Sequence, residues 1–120
     1  MISGTSVKLN ASKTINEDFA DIMGYQLAYR ALKTKFAHKL HKFDEKLFWE
    51  SAASVWCDDP TISPWTIADQ TRYDTHSPNE FRVNIAAPNS EQFRQAFDCD
   101  ATDRMIQRKR CDLLWSRMPL

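Results

Sequence analysis

Two short groups of polar residues have the types and spacing that chemistry requires. In the first, Glu17 and Asp21 are four residues apart, so both carboxylates lie on one face if the segment is helical. In the second, Asp74 precedes His76 by two residues, and Arg82 follows. A carboxylate can orient a histidine that donates to a developing oxyanion, and a guanidinium can hold a substrate carbonyl through two bonds. These are the groups that a metal hydrolase places around its substrate.

Each group also has a purely structural interpretation. Glu17 can be the reciprocal partner of Thr14 in a helix capping box, which would leave Asp21 as a surface acid. His76 can belong to a capping loop and pack against Phe81. Because Glu-x-x-x-Asp is a common pattern, residue types alone leave both interpretations open.

The remaining histidines and cysteines carry less information. His38 and His41 are three residues apart rather than four, and the lysines beside them would repel a cation, so they indicate a solvated helix end. Cys57, Cys99 and Cys111 have no Cys-x-x-Cys spacing, so neither a zinc knuckle nor a redox pair is supported. Three is an odd number, so they are either reduced or paired with cysteines on other sequence.

Composition excludes several classes of function. The 120 residues suit one globular domain, with 42% hydrophobic residues. Lys plus Arg and Asp plus Glu are equal at 16, so no overall field favours nucleic acid or an anionic membrane. No apolar run approaches the roughly 20 residues of a membrane span, and no signal-peptide stretch follows Met1. We therefore expect contact with a membrane only through an anchor outside these residues.

Helices must position the candidate groups. A capping box at Thr14, with acids in the first turn and lysines at the end, predicts a helix over 15–34. A second helix is expected from about Phe43 to Trp56, before Pro60. The apolar stripe of the first consists of Ile15, Phe19, Ile22, Met23, Leu27, Ala31 and Leu32, and the face of the second of Leu47, Phe48, Trp49, Ala52, Val55 and Trp56.

Three further segments complete a mainly α prediction. Ser63 and Pro64 open a short third helix that runs toward Tyr73. Ser77 to Glu80 forms another capping box with Pro78 at the first helical position, which places His76 at a helix entrance. Asn89 caps a last helix in which one face is shared by Phe93, Ala96 and Phe97, and an irregular segment follows around Cys111 and Trp115.

Taken in order, these segments resemble the C-terminal part of the neprilysin and endothelin-converting-enzyme family of zinc metallopeptidases. The resemblance is collinear from about Val7 to Trp115 and includes Glu17-Asp18-Phe19-Ala20-Asp21, Val55-Trp56-Cys57 and Asp74-Thr75-His76-Ser77-Pro78. It implies the mainly α, C-terminal helical portion of a thermolysin-like zinc metallopeptidase catalytic domain. Residues 1–6 would be an N-terminal stub, 7–115 the partial catalytic domain and 116–120 an extension.

The resemblance also implies a role for each candidate residue. Glu17 corresponds to the third zinc ligand, and Asp21 to the carboxylate that orients a zinc-binding histidine from an upstream segment. His76 corresponds to the donor that stabilises the oxyanion, with Asp74 as its orienting partner. Arg82 corresponds to the guanidinium that binds the peptide substrate.

One departure from the family pattern limits what this chain can do. The His-Glu-x-x-His motif, which supplies two zinc ligands and the general base, is absent from the 120 residues. The expectation is a C-terminal fragment of a zinc metalloendopeptidase, inactive without an upstream half that would also pair with its cysteines. The family implies an extracellular or plasma-membrane ectodomain. The alternative is a non-catalytic remnant that binds peptides or a partner chain.

Overall fold

The computed structural model describes residues 1–37 and 43–106, and within these ranges the chain is helical and contains no β-strand. The α-helices are α1 (Ala11–Phe36), α2 (Glu45–Ser54), α3 (Pro64–Gln70), α4 (Asn79–Ala86) and α5 (Glu91–Ala96), and a 3₁₀ helix spans Ala87–Asn89. The predictions for His38, His41, Cys111, Trp115 and the extension 116–120 lie outside the described residues. None of the described helices is long and apolar enough to cross a membrane.

Helix α1 starts earlier than its sequence pattern predicts. It begins at Ala11 rather than residue 15, its N-cap Asn10 makes no side-chain capping bond, and its first turn contains no acid. Thr14 is therefore inside the helix and buried, where its Oγ1 donates to Asp18 Oδ2 at 2.8 Å. The predicted capping box was wrong, because the buried hydroxyl is satisfied within the helix rather than at its end. The basic last turn is confirmed by Lys33 and Lys35.

An aromatic core fixes α2 between α1 and α5. Asp44 caps α2 by accepting from Leu47 N at 3.0 Å, as the predicted start near Phe43 requires. Trp49 is 3% exposed and stacks on Tyr25 and Tyr29 of α1. Phe93 of α5 meets the Trp49 ring edge-on at 5.5 Å. Burial of each of these large side chains stabilises the fold by roughly 1.5–3 kcal/mol.

Helices α3 and α4 frame the segment that carries His76. Ser63 caps α3 and Pro64 is its first residue, as predicted, although the helix ends at Gln70. The predicted capping box of α4 is not formed, because Pro78 occupies the N-cap position and Ser77 Oγ is buried without a hydrogen-bond partner among residues 1–37 and 43–106. The chain thus turns into α4 one residue later than the pattern indicates.

The start of α5 is displaced in the same way. Its N-cap is Ser90, whose Oγ accepts from Phe93 N, rather than Asn89. Asn89 ends the 3₁₀ helix and donates through Nδ2 to Ile85 O at 2.7 Å. Phe93 faces the core, as predicted for the apolar side of this helix.

Candidate functional site

The site consists of side chains on α1 that meet the segment between α3 and α4 and the first turns of α4. Glu17 and Asp21 are one turn apart on α1, and each contacts a residue more than fifty positions further along the chain. Glu17 contacts His76, and Asp21 contacts Arg82. The fold therefore brings together four of the five residues proposed from the sequence, and Asp74 joins them through His76.

His76 lies between two carboxylates. Its Nδ1 is 2.8 Å from Asp74 Oδ1, and its Nε2 is 3.4 Å from Glu17 Oε2. The backbone N–H of His76 also donates to Asp74 Oδ1 at 2.9 Å. These bonds hold the pKa of Asp74 below its ordinary value, and the bond from the backbone N–H has the largest effect. Because Asp74 can only accept when ionised, the ring donates from Nδ1, and Nε2 faces Glu17.

The histidine contacts orient groups more than they stabilise the fold. The side chains of His76 and Glu17 are 44% and 40% exposed, and ion pairs with that much solvent contribute about 0–1 kcal/mol. The ring is held by Asp74 at Nδ1 and faces Glu17 with Nε2, and its partial exposure leaves room for a bound molecule beside Nε2. In the neutral ring with its proton on Nδ1, Nε2 is an acceptor, so only the imidazolium form can donate from Nε2 in catalysis or binding.

The pair of Asp21 and Arg82 is better enclosed. Arg82 Nε donates to Asp21 Oδ2 and Nη2 donates to Asp21 Oδ1, both at 2.7 Å, and the two side chains are 13% and 17% exposed. The guanidinium carbon also lies 3.8 Å above the centre of the Trp56 ring. The hydrogen bonds to Asp21 raise the pKa of Arg82, so the guanidinium stays charged.

This pairing bears on the roles predicted for both residues. The two hydrogen bonds to Asp21 use Nε and Nη2 of Arg82, so Nη1 is the guanidinium nitrogen that does not bond to Asp21. Each oxygen of Asp21 has a second lone pair that can accept another donor. Substrate binding by Arg82 and orientation of a histidine by Asp21 both stay predictions.

A polar cavity of about 240 Å³ opens beside His76 and Arg82. Asp74, Gln70 and Asn79 contribute to its wall. Asn79 Nδ2 donates to Asp58 Oδ1 at 2.6 Å, which closes one side. The cavity can accommodate a small polar group next to the histidine.

Trp56 is a site residue that sequence reasoning did not identify. It was assigned to the apolar face of the second helix, whereas it lies beyond the end of α2 and stacks on Arg82. An aromatic residue just after a helix end, in a chain with a candidate guanidinium, is a weak signal for this contact.

The described residues do not by themselves make a zinc site. No group of three or more His, Cys, Asp or Glu side chains within residues 1–37 and 43–106 is arranged to hold a metal ion. Zinc sites in proteins use at least three protein ligands, and Glu17 is a single carboxylate that faces a histidine held by Asp74.

Comparison with known proteins places these residues in a family. The sequence profile of Peptidase family M13 matches residues 2–113. The chain is 33% identical to Neprilysin-1 of Caenorhabditis elegans over 95% of this chain and 16% of that protein. It is 32% identical to Neprilysin of Homo sapiens over 86% of this chain and 14% of that protein.

A third relative is Endothelin-converting enzyme 1 of Cavia porcellus, 32% identical over 88% of this chain and 15% of that protein. The chain thus spans about a sixth of the length of the curated relatives it matches. No solved structure matches it. Because the profile covers nearly all of its residues, the chain belongs to Peptidase family M13, the family of the neprilysins and endothelin-converting enzymes.

Proposed function

We propose that this chain is the C-terminal part of the catalytic domain of a neprilysin-like zinc metalloendopeptidase. The observation that carries the proposal is the 3.4 Å contact between Glu17 Oε2 and His76 Nε2. It supports the proposal because the two residues that would bind zinc and donate to the oxyanion are in contact, in a chain of a peptidase family. The reaction would be hydrolysis of peptide bonds in peptide substrates.

Zinc would need ligands from elsewhere. Glu17 would supply one carboxylate, and a His-Glu-x-x-His segment outside these 120 residues would supply two histidines and the general base. The 120-residue chain alone is therefore proposed to be inactive.

The chain's own residues would act on the substrate side of the reaction. In its imidazolium form, His76, oriented by Asp74 through Nδ1, would donate a proton or a hydrogen bond from Nε2 to the oxygen of the attacked carbonyl. Arg82, fixed by Asp21 and stacked on Trp56, would hold a substrate carbonyl with Nη1. Neither side chain has to reorganise far, because both are already tied to carboxylates.

The proposed partner is the complementary, upstream part of an M13 catalytic domain. Large apolar side chains on α1 and α2 are unusually open, with Leu27 64%, Leu47 58% and Val55 74% exposed. Two apolar pockets share Phe48 and Ala52 in their walls, and one of them includes Leu47 and the other Val55. Helices of the upstream part would cover this surface, and its cysteines would pair with Cys57 and Cys99, which are free here. The same resemblance supports an extracellular or membrane-attached location.

A non-catalytic role is the second candidate. The bidentate pair of Asp21 and Arg82 and the polar cavity beside His76 are formed by this chain without a metal. A module that retains only these features would bind peptides or a partner chain.

Co-expression with the upstream part separates the two candidates. We expect no peptide cleavage by the 120-residue chain alone, and chelator-sensitive cleavage after the upstream part is supplied. Glu17→Gln should abolish most of that activity, whereas the control Asp103→Asn, an exposed acid in the segment after α5, should keep it. Peptide binding without cleavage in the complemented protein would favour the non-catalytic module.

A further inference from the structure

Three side chains of α1 form a ladder along the segment that carries the site. Lys13, Glu17 and Asp21 recur every four residues and so lie along one side of the helix. Glu17 meets His76 and Asp21 meets Arg82, as described above. Lys13, one turn before Glu17, donates through Nζ to the backbone oxygen of Thr71 at 3.0 Å. Successive turns of α1 thus hold residues 71, 76 and 82.

The first contact of the ladder holds the end of α3, a helix that buries Ala68 but takes no part in the closest helix pairs of the described residues. Within the described residues, the closely packed pairs of helices involve α1, α2, α4, α5 and the 3₁₀ helix, and α3 is in none of them. At its start, α3 rests on the N-terminal segment, where Gly4 adopts φ +76 and leaves only 3.2 Å between an added Cβ and Pro64 Cγ. At its end, α3 meets the Lys13 ammonium.

The hydrogen bond from Lys13 Nζ to the Thr71 carbonyl is favourable for two reasons. Thr71 is the C-cap of α3, so its carbonyl is among those that lack a partner within the helix. A positive charge at this end also complements the helix dipole. The two residues are 58 positions apart, so the bond joins α1 to the end of α3 rather than serving either helix alone.

We propose that Lys13 is a positioning residue for His76. By fixing the carbonyl of Thr71 on α1, it sets where the segment between α3 and α4 begins. Tyr73 and Asp74 donate their backbone N–H groups to Gln70 O, both at 3.0 Å, and Asp74 then orients His76. Lys13 thereby governs whether the imidazole reaches Glu17. The catalytic meaning of this contact rests on the proposed function, but the positioning itself does not.

Hydrogen exchange on the 120-residue chain tests the proposal without any measurement of activity. In Lys13→Met, protection of the Tyr73 and Asp74 amides should fall about tenfold, the effect expected when a hydrogen bond to a charged group is lost. Protection of the Tyr29 amide, within α1, should not change. Lys13→Arg should restore protection, because a guanidinium can also donate to a carbonyl. Lys8→Met removes an exposed lysine and serves as the matched control.

The ring nitrogens of His76 give the readout that a merely stabilising lysine would not affect. In Lys13→Met, their ¹⁵N chemical shifts should move toward those of a free histidine, while the Arg variant and the Lys8 control keep the native shifts. The proposal is wrong if Lys13→Met leaves both protection and shifts unchanged, or if protection falls equally at Tyr29. It is also wrong if residues 73–82 are unprotected in the wild-type chain. None of these results depends on peptidase activity, so failure here is separate from failure of the proposed function.

Discussion

Asp21 and Arg82 are joined by two parallel hydrogen bonds of 2.7 Å, although 61 residues separate them in the chain. This fork connects α1 to α4 and leaves both side chains largely buried. The family resemblance assigns the two residues to different tasks, one toward a metal ligand and one toward the substrate. In this chain Asp21 holds the Arg82 guanidinium in place, and Arg82 holds the Asp21 carboxylate in place.

Removal of one partner of this fork should be costly. Asp21→Asn leaves the Arg82 guanidinium largely buried without its counter-charge, so we expect a loss of about 2–4 kcal/mol in the free energy of unfolding, measured by urea denaturation. Asp69→Asn is the matched control, because Asp69 pairs with Arg72 on the open surface and should contribute less than about 1 kcal/mol. Equal effects of the two variants would show that the fork does not hold α4 on α1.

Stability should fall in alkaline solution because of Tyr29. Burial, then a hydrogen bond to Glu45, raises the pKa of the Tyr29 phenol above its ordinary value of 10.0. In the unfolded chain the phenol ionises near 10.0, so the unfolded state binds fewer protons above that pH. The contribution of Tyr29 is therefore fully present below pH 10 and is lost as the pH rises toward the folded-state pKa. Urea denaturation between pH 8 and about 11.5 measures it.

Two phenylalanine variants isolate this effect. Tyr29→Phe should be less stable at pH 8 by about 1 kcal/mol, since a hydrogen bond is lost, but should show a flatter decline above pH 10. Tyr73→Phe should follow the wild-type curve, because Tyr73 is 82% exposed. A decline of the same steepness in Tyr29→Phe would assign the alkaline loss to other groups.

Orientation of His76 by Asp74 should affect turnover in the complemented protein. Asp74→Asn removes the charge that fixes the ring through Nδ1, so kcat should fall at least about tenfold with little change in KM. Asp100→Asn is a close control, because Asp100 accepts from the backbone N–H and hydroxyl of Thr102 in a similar turn that does not line the cavity beside His76. If KM rises while kcat is unaltered, Asp74 acts in binding rather than in the reaction step.

The exposed apolar face should govern association with the upstream part. Leu47→Ser together with Val55→Ser removes two side chains from the surface proposed to be covered, and each buried side chain contributes roughly 1.5–3 kcal/mol. We expect the dissociation constant of the complex to rise at least about tenfold in calorimetric titration. Trp65→Ser, an exposed aromatic residue on α3, is the control. An unaltered dissociation constant would place the docking surface elsewhere.

The sequence predicted which segments are helical better than where they start. The existence of α1 and the Ser63-Pro64 start of α3 depend on local periodicity and local capping, and both are confirmed. The apolar stripe predicted for α1 is not its buried face, because Ile15, Phe19 and Leu27 are exposed. The core contact of α1 is made by Tyr29 instead.

The Thr14 and Ser77 capping boxes failed, and both residues are buried. Thr14 donates to Asp18 inside α1, and Ser77 Oγ bonds to none of the described residues, so burial rather than the local capping pattern accounts for both positions.

In the candidate site, too, contacts between residues close in sequence could be predicted, and contacts between distant residues could not. The bond between Asp74 and His76 spans two residues and could be expected from the sequence. The contacts of Lys13 with Thr71 and of Arg82 with Trp56 could not, because they depend on how α3 and α4 lie against α1. Residue spacing contains no information about that arrangement unless the partner is already known.

Zinc content of the complemented protein tests the central claim most directly. The claim is that Glu17 completes a zinc site whose other ligands lie outside this chain. We expect about one zinc ion per complex with the wild-type chain, almost none with the 120-residue chain alone, and at least a tenfold weaker zinc affinity in the Glu17→Gln complex. Equal zinc content and affinity in the wild-type and Glu17→Gln complexes would contradict the account.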